Sequence, residues 1–418
     1  MRTEKNSVRI CKFTNNETGE PMKTTLPLKH AIILISFFTA SAVAITVMMM
    51  SGFTVKKVQG SEEAYVSKIN EIKTLVDEYY IGEYSEDDMP DFITAGYVLG
   101  LGDKYSNYVT KADAEENLNS FIGLNTGMGV QVTQHPDDKS LYVLEVHKDS
   151  PALAAGIECG DHITAIDGQS VNETGYSETL QYIKSRPLGS DITLTVLRGE
   201  ETLSMPVTLN QYTSQTVFPK LIGNIGYVQI TEFNDASTDQ FTAAVDELIN
   251  EGAAALVFDL RGNGGGTLKS VYHMIDYLIP EGLAVKVEYK DERNNEVYMS
   301  DSHEITLPMA VLTDGRTASA SELFAQSLKD YEKAVTVGSK TYGKGVVQRT
   351  FTLSDGSLVK FTVGKYYTAN GECLDGIGVL PDISTEWTSD ELTYRLVNGI
   401  ETDKDFLAAV GHLNGQLS

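Results

Sequence analysis

Ala254-Ala-Leu-Val-Phe-Asp-Leu-Arg-Gly-Asn-Gly-Gly-Gly266 is a short apolar run, interrupted only by Asp259, that ends in a glycine-rich turn. A run of this length reads as a fully buried strand. The turn leads into a segment whose apolar positions, Val271, Met274, Ile275 and Leu278, recur at helical spacing. A second strand, Met309 to Thr313, leads by another turn into a helix over Ala318 to Asp330. Two strand-turn-helix units in series predict an α/β layer with loops at the strand carboxyl ends, where ligands tend to bind.

The glycine turn is not a nucleotide site. Gly262-x-Gly264-x-x-Thr267 lacks the third glycine of the dinucleotide fingerprint, and Lys269 does not follow a glycine as a phosphate-binding loop requires. What remains is a loop whose backbone N–H groups, above all near Gly265, can converge as a nest for an oxyanion, with Arg261 placed to brace it.

Outward from this core, the texture divides the 418-residue chain into segments, as its length predicts. The α/β domain spans 203–387. Ahead of it, 123–198 consists of short β-branched runs at 129–133, 141–146, 162–166 and 192–197, with helices at 151–156 and 177–185. This is the pattern of a small, separately folded module. Residues 61–122 read as helical, with Ile69, Ile72, Leu75, Val76 and Tyr79 on one buried face. Within them Gly100-Leu-Gly-Asp-Lys-Tyr105 is a loop. Residues 388–418 read as a peripheral helix and a loose tail.

The 31–53 run is 23 residues long without a charge, enough to cross a bilayer. The preceding tail, 1–30, carries Arg2, Lys5, Arg9, Lys12, Lys23 and Lys29 against three glutamates, which places the N-terminus in the cytoplasm. The tail and the apolar run are long for a cleaved signal peptide, so 31–53 is read as a single-pass anchor with the remainder on the extracytoplasmic side. A net charge of −25 argues against nucleic acid or anionic lipid as a partner. Cys11, Cys159 and Cys373 show neither zinc spacing nor a disulfide framework.

Of seven histidines only His273 and His303 belong to the α/β domain, both in settings typical of structural or solvated side chains. A hydrolase built here needs another base. Ser319, in Thr317-Ala-Ser-Ala-Ser-Glu322, begins a helix after a strand. Ser319-x-x-Glu322 is a capping box, and the same helix terminus also offers N–H donors to a developing oxyanion. Lys344, in Thr341-Tyr-Gly-Lys-Gly-Val-Val-Gln348, enters a strand from a tight turn; alternation puts Val346 and Gln348 on its face, so Gln348 can orient the amine. Read alone, it is a turn lysine. To act as a base near pH 7 its pKa has to fall by roughly three units, about 4 kcal/mol, which burial can supply.

These pieces, in order, resemble the carboxyl-terminal processing peptidases, or tail-specific proteases. The resemblance rests on Gly100 to Ser106, Gly127-Met-Gly-Val130, Ser150-Pro-Ala-Leu-Ala-Ala-Gly156, Gly160-Asp-His-Ile163, Asp259 to Gly266, Ala318 to Glu322, Tyr342-Gly-Lys-Gly345 with Gln348, and Asp375 to Asp382. It implies a multidomain α/β protein: a transmembrane helix, a helical N-terminal region, a permuted PDZ module resembling a β-barrel, and a mixed α/β serine peptidase domain. It further implies Ser319 as nucleophile, Lys344 as general base 25 residues on, Gln348 as its orienting partner, and the Gly265 and Ala320 N–H groups as oxyanion donors. Asp330 occupies the family's acidic position. Gly127, Met128, Gly129 and Val130 correspond to the loop that binds a peptide carboxylate, and Arg198 to an arginine coupling peptide binding to catalysis. The implied partners are protein or peptide substrates with accessible C-terminal tails, besides a homo-oligomer or regulatory partner. No metal or organic cofactor is implied. A non-catalytic PDZ scaffold at the membrane surface is the alternative reading.

Overall fold

A computed structural model describes residues 62–417. The expected cytoplasmic tail, 1–30, and the expected anchor, 31–53, lie outside the described residues. Among the described residues no helix is long and apolar enough to cross a membrane.

The chain divides into two units, the first ending at Tyr84. It contains helix α1 (Glu62–Tyr79). Ile69 and Val76 on the anticipated apolar stripe are half-buried, but Ile72, Leu75 and Tyr79 are exposed. The expectation of a buried face is therefore corrected: periodicity tells which face of a helix is apolar, not that a partner covers it.

The second unit opens with α2 (Met89–Leu99), β1 (Asn107–Val109) and α3 (Lys111–Phe121). The small module follows, with β2 (Leu124–Gly127), β3 (Val130–Gln134), β4 (Leu141–Val146), β5 (His162–Ile166), helix α4 (Tyr176–Ser185), β6 (Asp191–Arg198), β7 (Glu201–Thr208) and β8 (Asn210–Thr213). Strands β3-β4-β5-β6-β7 form one antiparallel sheet in that order, leaving β3 at an edge. Leu141, Val143, Ile163, Ile192, Leu194 and Val196 are its fully buried core. The module does not end at 198. Gly199, at φ 61°, turns the chain into β7, which pairs with β6 along its whole length, and β8 then returns to pair with β2.

The peptidase domain contains β9 (Val217–Ile222), β10 (Ile225–Ile230), α5 (Ser237–Asn250), β11 (Ala255–Asp259), α6 (Leu268–Leu278), β12 (Gly282–Tyr289), β13 (Glu296–Ser300), β14 (Met309–Thr313), α7 (Ala320–Asp330), β15 (Ala334–Gly338), β16 (Val346–Thr352), β17 (Leu358–Tyr367), β18 (Ile383–Ser384), α8 (Ser389–Tyr394) and α9 (Lys404–Leu417). Its main sheet runs β9-β10-β11-β14-β15-β18 and is parallel from β10 onward. An antiparallel sheet, β1-β17-β12-β13 with β16 also on β17, stands beside it.

Alternation along β11 and β14 explains why both strands are buried throughout. Leu256, Phe258, Met309 and Val311 point into the cluster formed with α5, α6 and α7, whereas Ala255, Val257, Ala310 and Leu312 point to the other face, against Phe406, Ala409 and Leu413 of α9. Helix α9 is thus a structural layer, not the peripheral helix and loose tail anticipated for 388–418. It is fastened electrostatically as well: the buried Arg261 guanidinium reaches Asp259 at 2.6 Å, Asp403 at 2.8 Å and Asp405 at 2.7 Å.

Candidate active site

Strand β14 ends in a tight turn, Asp314 to Ser319, that delivers Ser319 to the N-terminus of α7. The turn is held by Asp314 Oδ1, which accepts from the N–H groups of Arg316 (2.9 Å), Thr317 (3.1 Å) and Gly262 (3.0 Å). Ser319 itself adopts φ 58°, ψ −117°. This backbone conformation costs a non-glycine residue about 1–3 kcal/mol and is sustained only where the surroundings enforce it.

Glu322 is the enforcer. Its carboxylate is completely buried and accepts four hydrogen bonds. Oε2 takes the N–H groups of Ser319 and Lys344, each at 2.8 Å. Oε1 takes the Thr341 hydroxyl at 2.5 Å and the Gly343 N–H at 2.7 Å. The residue read as the far end of a capping box therefore joins the serine turn to the lysine turn. Tyr366 does so again from the carbonyl side: its hydroxyl lies 3.0 Å from Ser319 O and 2.7 Å from Lys344 O.

The Lys344 amine donates to Gln348 Oε1 at 2.7 Å, as the strand alternation predicts. Gln348 in turn donates through Nε2 to the carbonyl of Tyr105, whose ring lies 4.9 Å below the Lys344 amine. The loop 100–105, which by local sequence is only a turn, thus supplies the floor of the lysine site. Burial lowers the Lys344 pKa below the ordinary lysine value, and the nearby Lys360 charge lowers it further, partly offset by Asp103 and Glu322. Among the described residues no hydrogen bond joins Lys344 Nζ to Ser319 Oγ. Both side chains instead line one open cleft of about 920 Å³.

Gly265 lies directly against Ser319. A β-carbon there would stand 2.7 Å from Ala318 O, 2.9 Å from Ser319 Cβ and 3.0 Å from Ala320 N. Its N–H donates to Asn263 Oδ1 at 2.8 Å, and Asn263 is itself buried and anchored through Nδ2 to Ile230 O. Ala320 N–H has no protein acceptor among the described residues. Of the two expected oxyanion donors, one is open and the other is engaged by a neighbouring side chain. Arg261 does not brace this loop from the cleft side; its donors are consumed by Asp259, Asp403 and Asp405.

The cleft extends into the small module, where Val130, Gln131 and His147 line it with Ser319 and Lys344. In the Gly127 to Val130 segment, the Met128 and Gly129 carbonyls accept from Ala152 and His147 N–H, while neither Met128 nor Gly129 N–H has a protein acceptor among the described residues. The Met128 side chain is in the module's core. Only its backbone, then, is suited to a ligand. His147 joins module to peptidase domain: Nδ1 accepts the Gln215 N–H at 2.9 Å, and burial depresses the imidazole pKa to about 4.

Two expected residues are not brought to the site. Arg198 is held within the module by Asp161 (2.7 Å), Glu158 (2.7 Å) and the Gly156 carbonyl (2.8 Å), and does not line the cleft. The buried Asp161 captures it, so the coupling role lacks a contact to act through. Asp330 sits at the opposite end of α7 from Ser319, about 16 Å along the helix axis. Its carboxylate accepts from Gln326 and the Asn370 N–H.

A serine turn, a half-buried lysine and a glycine nest meet at the strand ends of an α/β sheet, the arrangement of a serine peptidase. The pattern of peptidase family S41 matches residues 224–385, and that of a PDZ domain matches 126–209. The carboxy-terminal processing protease CtpA of Bacillus subtilis strain 168 is 30% identical over 368 residues, covering 87% of this chain and 78% of that protein. A probable CtpA-like serine protease of Staphylococcus aureus bovine strain RF122 is 30% identical over 381 residues, 90% of this chain and 75% of the relative. In fold, the chain is similar to a putative S41 protease from Bacteroides fragilis at TM-score 0.55 and 20% identity, over 76% of this chain and 87% of that one. The chain belongs to the carboxy-terminal processing proteases of peptidase family S41 and is a PDZ-containing serine peptidase.

Proposed function

We propose that this chain is a membrane-anchored endopeptidase that captures protein C-terminal tails on its PDZ module and cleaves them nearby with a Ser319–Lys344 dyad. The carrying observation is the single cleft shared by Val130 and Gln131 of the PDZ edge strand with Ser319 and Lys344. A tail added to β3 by main-chain hydrogen bonds, with its carboxylate on the Met128 and Gly129 amides, leads into that cleft.

The neutral Lys344 amine takes the Ser319 Oγ proton as Oγ attacks the peptide carbonyl. The oxyanion is held by Ala320 N–H and by Gly265 N–H once the latter leaves Asn263. The Lys344 ammonium returns its proton to the leaving amine, and water then hydrolyses the acyl-enzyme with Lys344 again as base. Gln348 keeps the amine aimed.

The engaged Gly265 amide and the absence of a Ser319–Lys344 hydrogen bond support a gated enzyme, completed when a tail docks. The uncharged 31–53 segment and its basic flank support a single-pass anchor with the PDZ and peptidase domains on the extracytoplasmic face. The test is cleavage of an unstructured polypeptide bearing a free or amidated C-terminus, by the wild-type chain, Ser319→Ala and Lys344→Ala. The free-tail substrate is expected to be cut faster, by the wild type alone. Wild-type rates in either variant would exclude the dyad, and equal rates for both tails would exclude tail capture.

A further inference from the structure

Two histidines of the PDZ module, far apart in sequence, meet at the tip of its sheet. His135 follows β3, His162 opens β5, and Asp138 lies between them in the turn joining β3 to β4. The Asp138 carboxylate presents one oxygen to each ring: Oδ1 stands 3.3 Å from His135 Nδ1, and Oδ2 stands 2.8 Å from His162 Nδ1. The ring centroids are 4.6 Å apart. One ligand atom from each of the three residues lies within 4.8 Å of the others.

The frame around them is fixed. His135 N–H bonds to Ser140 O at 2.9 Å, and Lys139 N–H to His135 O at 3.1 Å, closing the turn. Ser140 donates to Asp138 Oδ1 from both N–H (3.0 Å) and hydroxyl (2.7 Å), so the carboxylate is oriented by a neighbouring shell of the kind that supports metal ligands. The Tyr142 ring packs against both imidazoles, at 5.7 and 5.1 Å.

We propose that His135, Asp138 and His162 form a binding site for a divalent transition-metal ion of the zinc class. Two imidazoles and one carboxylate are the donors such ions select, whereas calcium and magnesium favour all-oxygen sites. Three protein ligands leave a fourth tetrahedral position for water. Metal–ligand bonds of about 2.0–2.2 Å bring tetrahedral ligands to roughly 3.4 Å from one another, so the 2.8 Å His162–Asp138 pair opens slightly while the widest separation, at most 4.8 Å, closes. Besides Asp138, His135 Nδ1 meets the Asp137 N–H at a long 3.4 Å and His162 Nδ1 meets the Ser140 hydroxyl at 3.0 Å, contacts that a cation has to displace. His135 and His162 are 18% and 23% exposed and Asp138 41%, which leaves an entry path from solvent.

None of the three residues lines the peptidase cleft, so the ion takes no part in peptide cleavage. Its location gives it a different task. Asp137, within the same turn, accepts the Tyr394 hydroxyl of α8 at 2.7 Å. A bound cation thus locks the β3–β4 tip where the PDZ module meets the C-terminal segment.

The test is titration of the detergent-solubilised 418-residue chain, stripped with a chelator, with zinc chloride in a calorimeter. One equivalent is expected to bind, and His162→Gln and Asp138→Asn are each expected to weaken binding by at least roughly tenfold. His303→Gln and His412→Gln, elsewhere in the chain, should leave stoichiometry and affinity unchanged. Retained peptidase activity verifies that the variants are folded; His135→Gln, on a partly exposed ring, provides a third variant should either of the first two fail that check. Absence of zinc binding by the wild type, or wild-type binding by folded variants of these three residues, would overturn the assignment.

Discussion

Replacing Glu322 with glutamine tests the union of nucleophile and base with the least change in volume. The wild-type carboxylate accepts four bonds, one from the serine turn and three from the lysine turn, and has no donor of its own. An amide supplies one oxygen and one NH2. If the nitrogen occupies the Oε2 position, Ser319 and Lys344 N–H lose their acceptor; in the reverse orientation Gly343 N–H does, while the Thr341 hydroxyl can rotate to accept. At least one buried N–H is therefore stranded, at about 1–3 kcal/mol, and the surviving bonds lose their charge assistance. The turns are also freed to separate, and a misplacement near 1 Å costs on the order of 100-fold in rate. The expected outcome is a lower Tm together with a fall in kcat of that order and little change in KM. Thermal unfolding and steady-state cleavage of a tail peptide measure both. Glu322→Asp, which keeps the charge but shortens the reach, should also lose kcat. A Glu322→Gln protein that melts lower but keeps wild-type kcat would refute the positioning role, leaving a stabilising residue only.

Other perturbations probe the surrounding machinery. Lys344 must be neutral to act, so cleavage should rise with pH through its depressed pKa; removing the neighbouring cation by Lys360→Gln should raise that pKa and move the half-maximal pH of kcat/KM upward, and no movement or a downward one would contradict the electrostatic account. The same depressed pKa makes folding more favourable with rising pH between the folded pKa and 10.5, because only the unfolded chain still holds that proton there. Gly265→Ala places a β-carbon within 3 Å of the serine turn at φ 105° and should reduce kcat by at least roughly 100-fold, read in a single-turnover assay. His147, with a folded pKa of about 4 against 6.5 unfolded, makes no cost above pH 6.5 and withdraws about 3 kcal/mol of stability as pH falls to 4. His147→Gln should flatten that part of the urea-unfolding profile.

The α/β layer was legible because β11 and β14 are apolar up to their last residues, Asp259 and Thr313, and each is followed by a turn and a helical period. The lysine's partner was legible too, since Gln348 lies on its face of a strand. Less could be read where a role depends on distant partners. Glu322 announces itself as a helix cap, and nothing local tells that its carboxylate also holds Thr341, Gly343 and Lys344. Tyr105 and Tyr366 reach the site from other parts of the chain, and the two aspartates that consume Arg261 lie more than 140 positions later. Nothing in the sequence around Arg198 tells that Asp161, a buried carboxylate in the same module, holds its guanidinium. Phe406, Ala409 and Leu413 have the spacing of a packed helix, but Gly411 and His412 among them make 388–418 read as a peripheral helix and loose tail. The stripe of α1 errs the other way, since its period is sound but Ile72, Leu75 and Tyr79 are exposed.

Helix α9 is also the last layer of the central sheet to be synthesised. Translation releases the nucleophile turn and the lysine turn well before residues 404–417, and until that helix arrives Ala255, Val257, Ala310 and Leu312 face water on one side of the central sheet. Over the same interval Arg261, at the root of the loop that holds Gly265, lacks Asp403 and Asp405. A nascent chain therefore carries Ser319 and Lys344 before it carries the helix that covers the outer face of the central sheet.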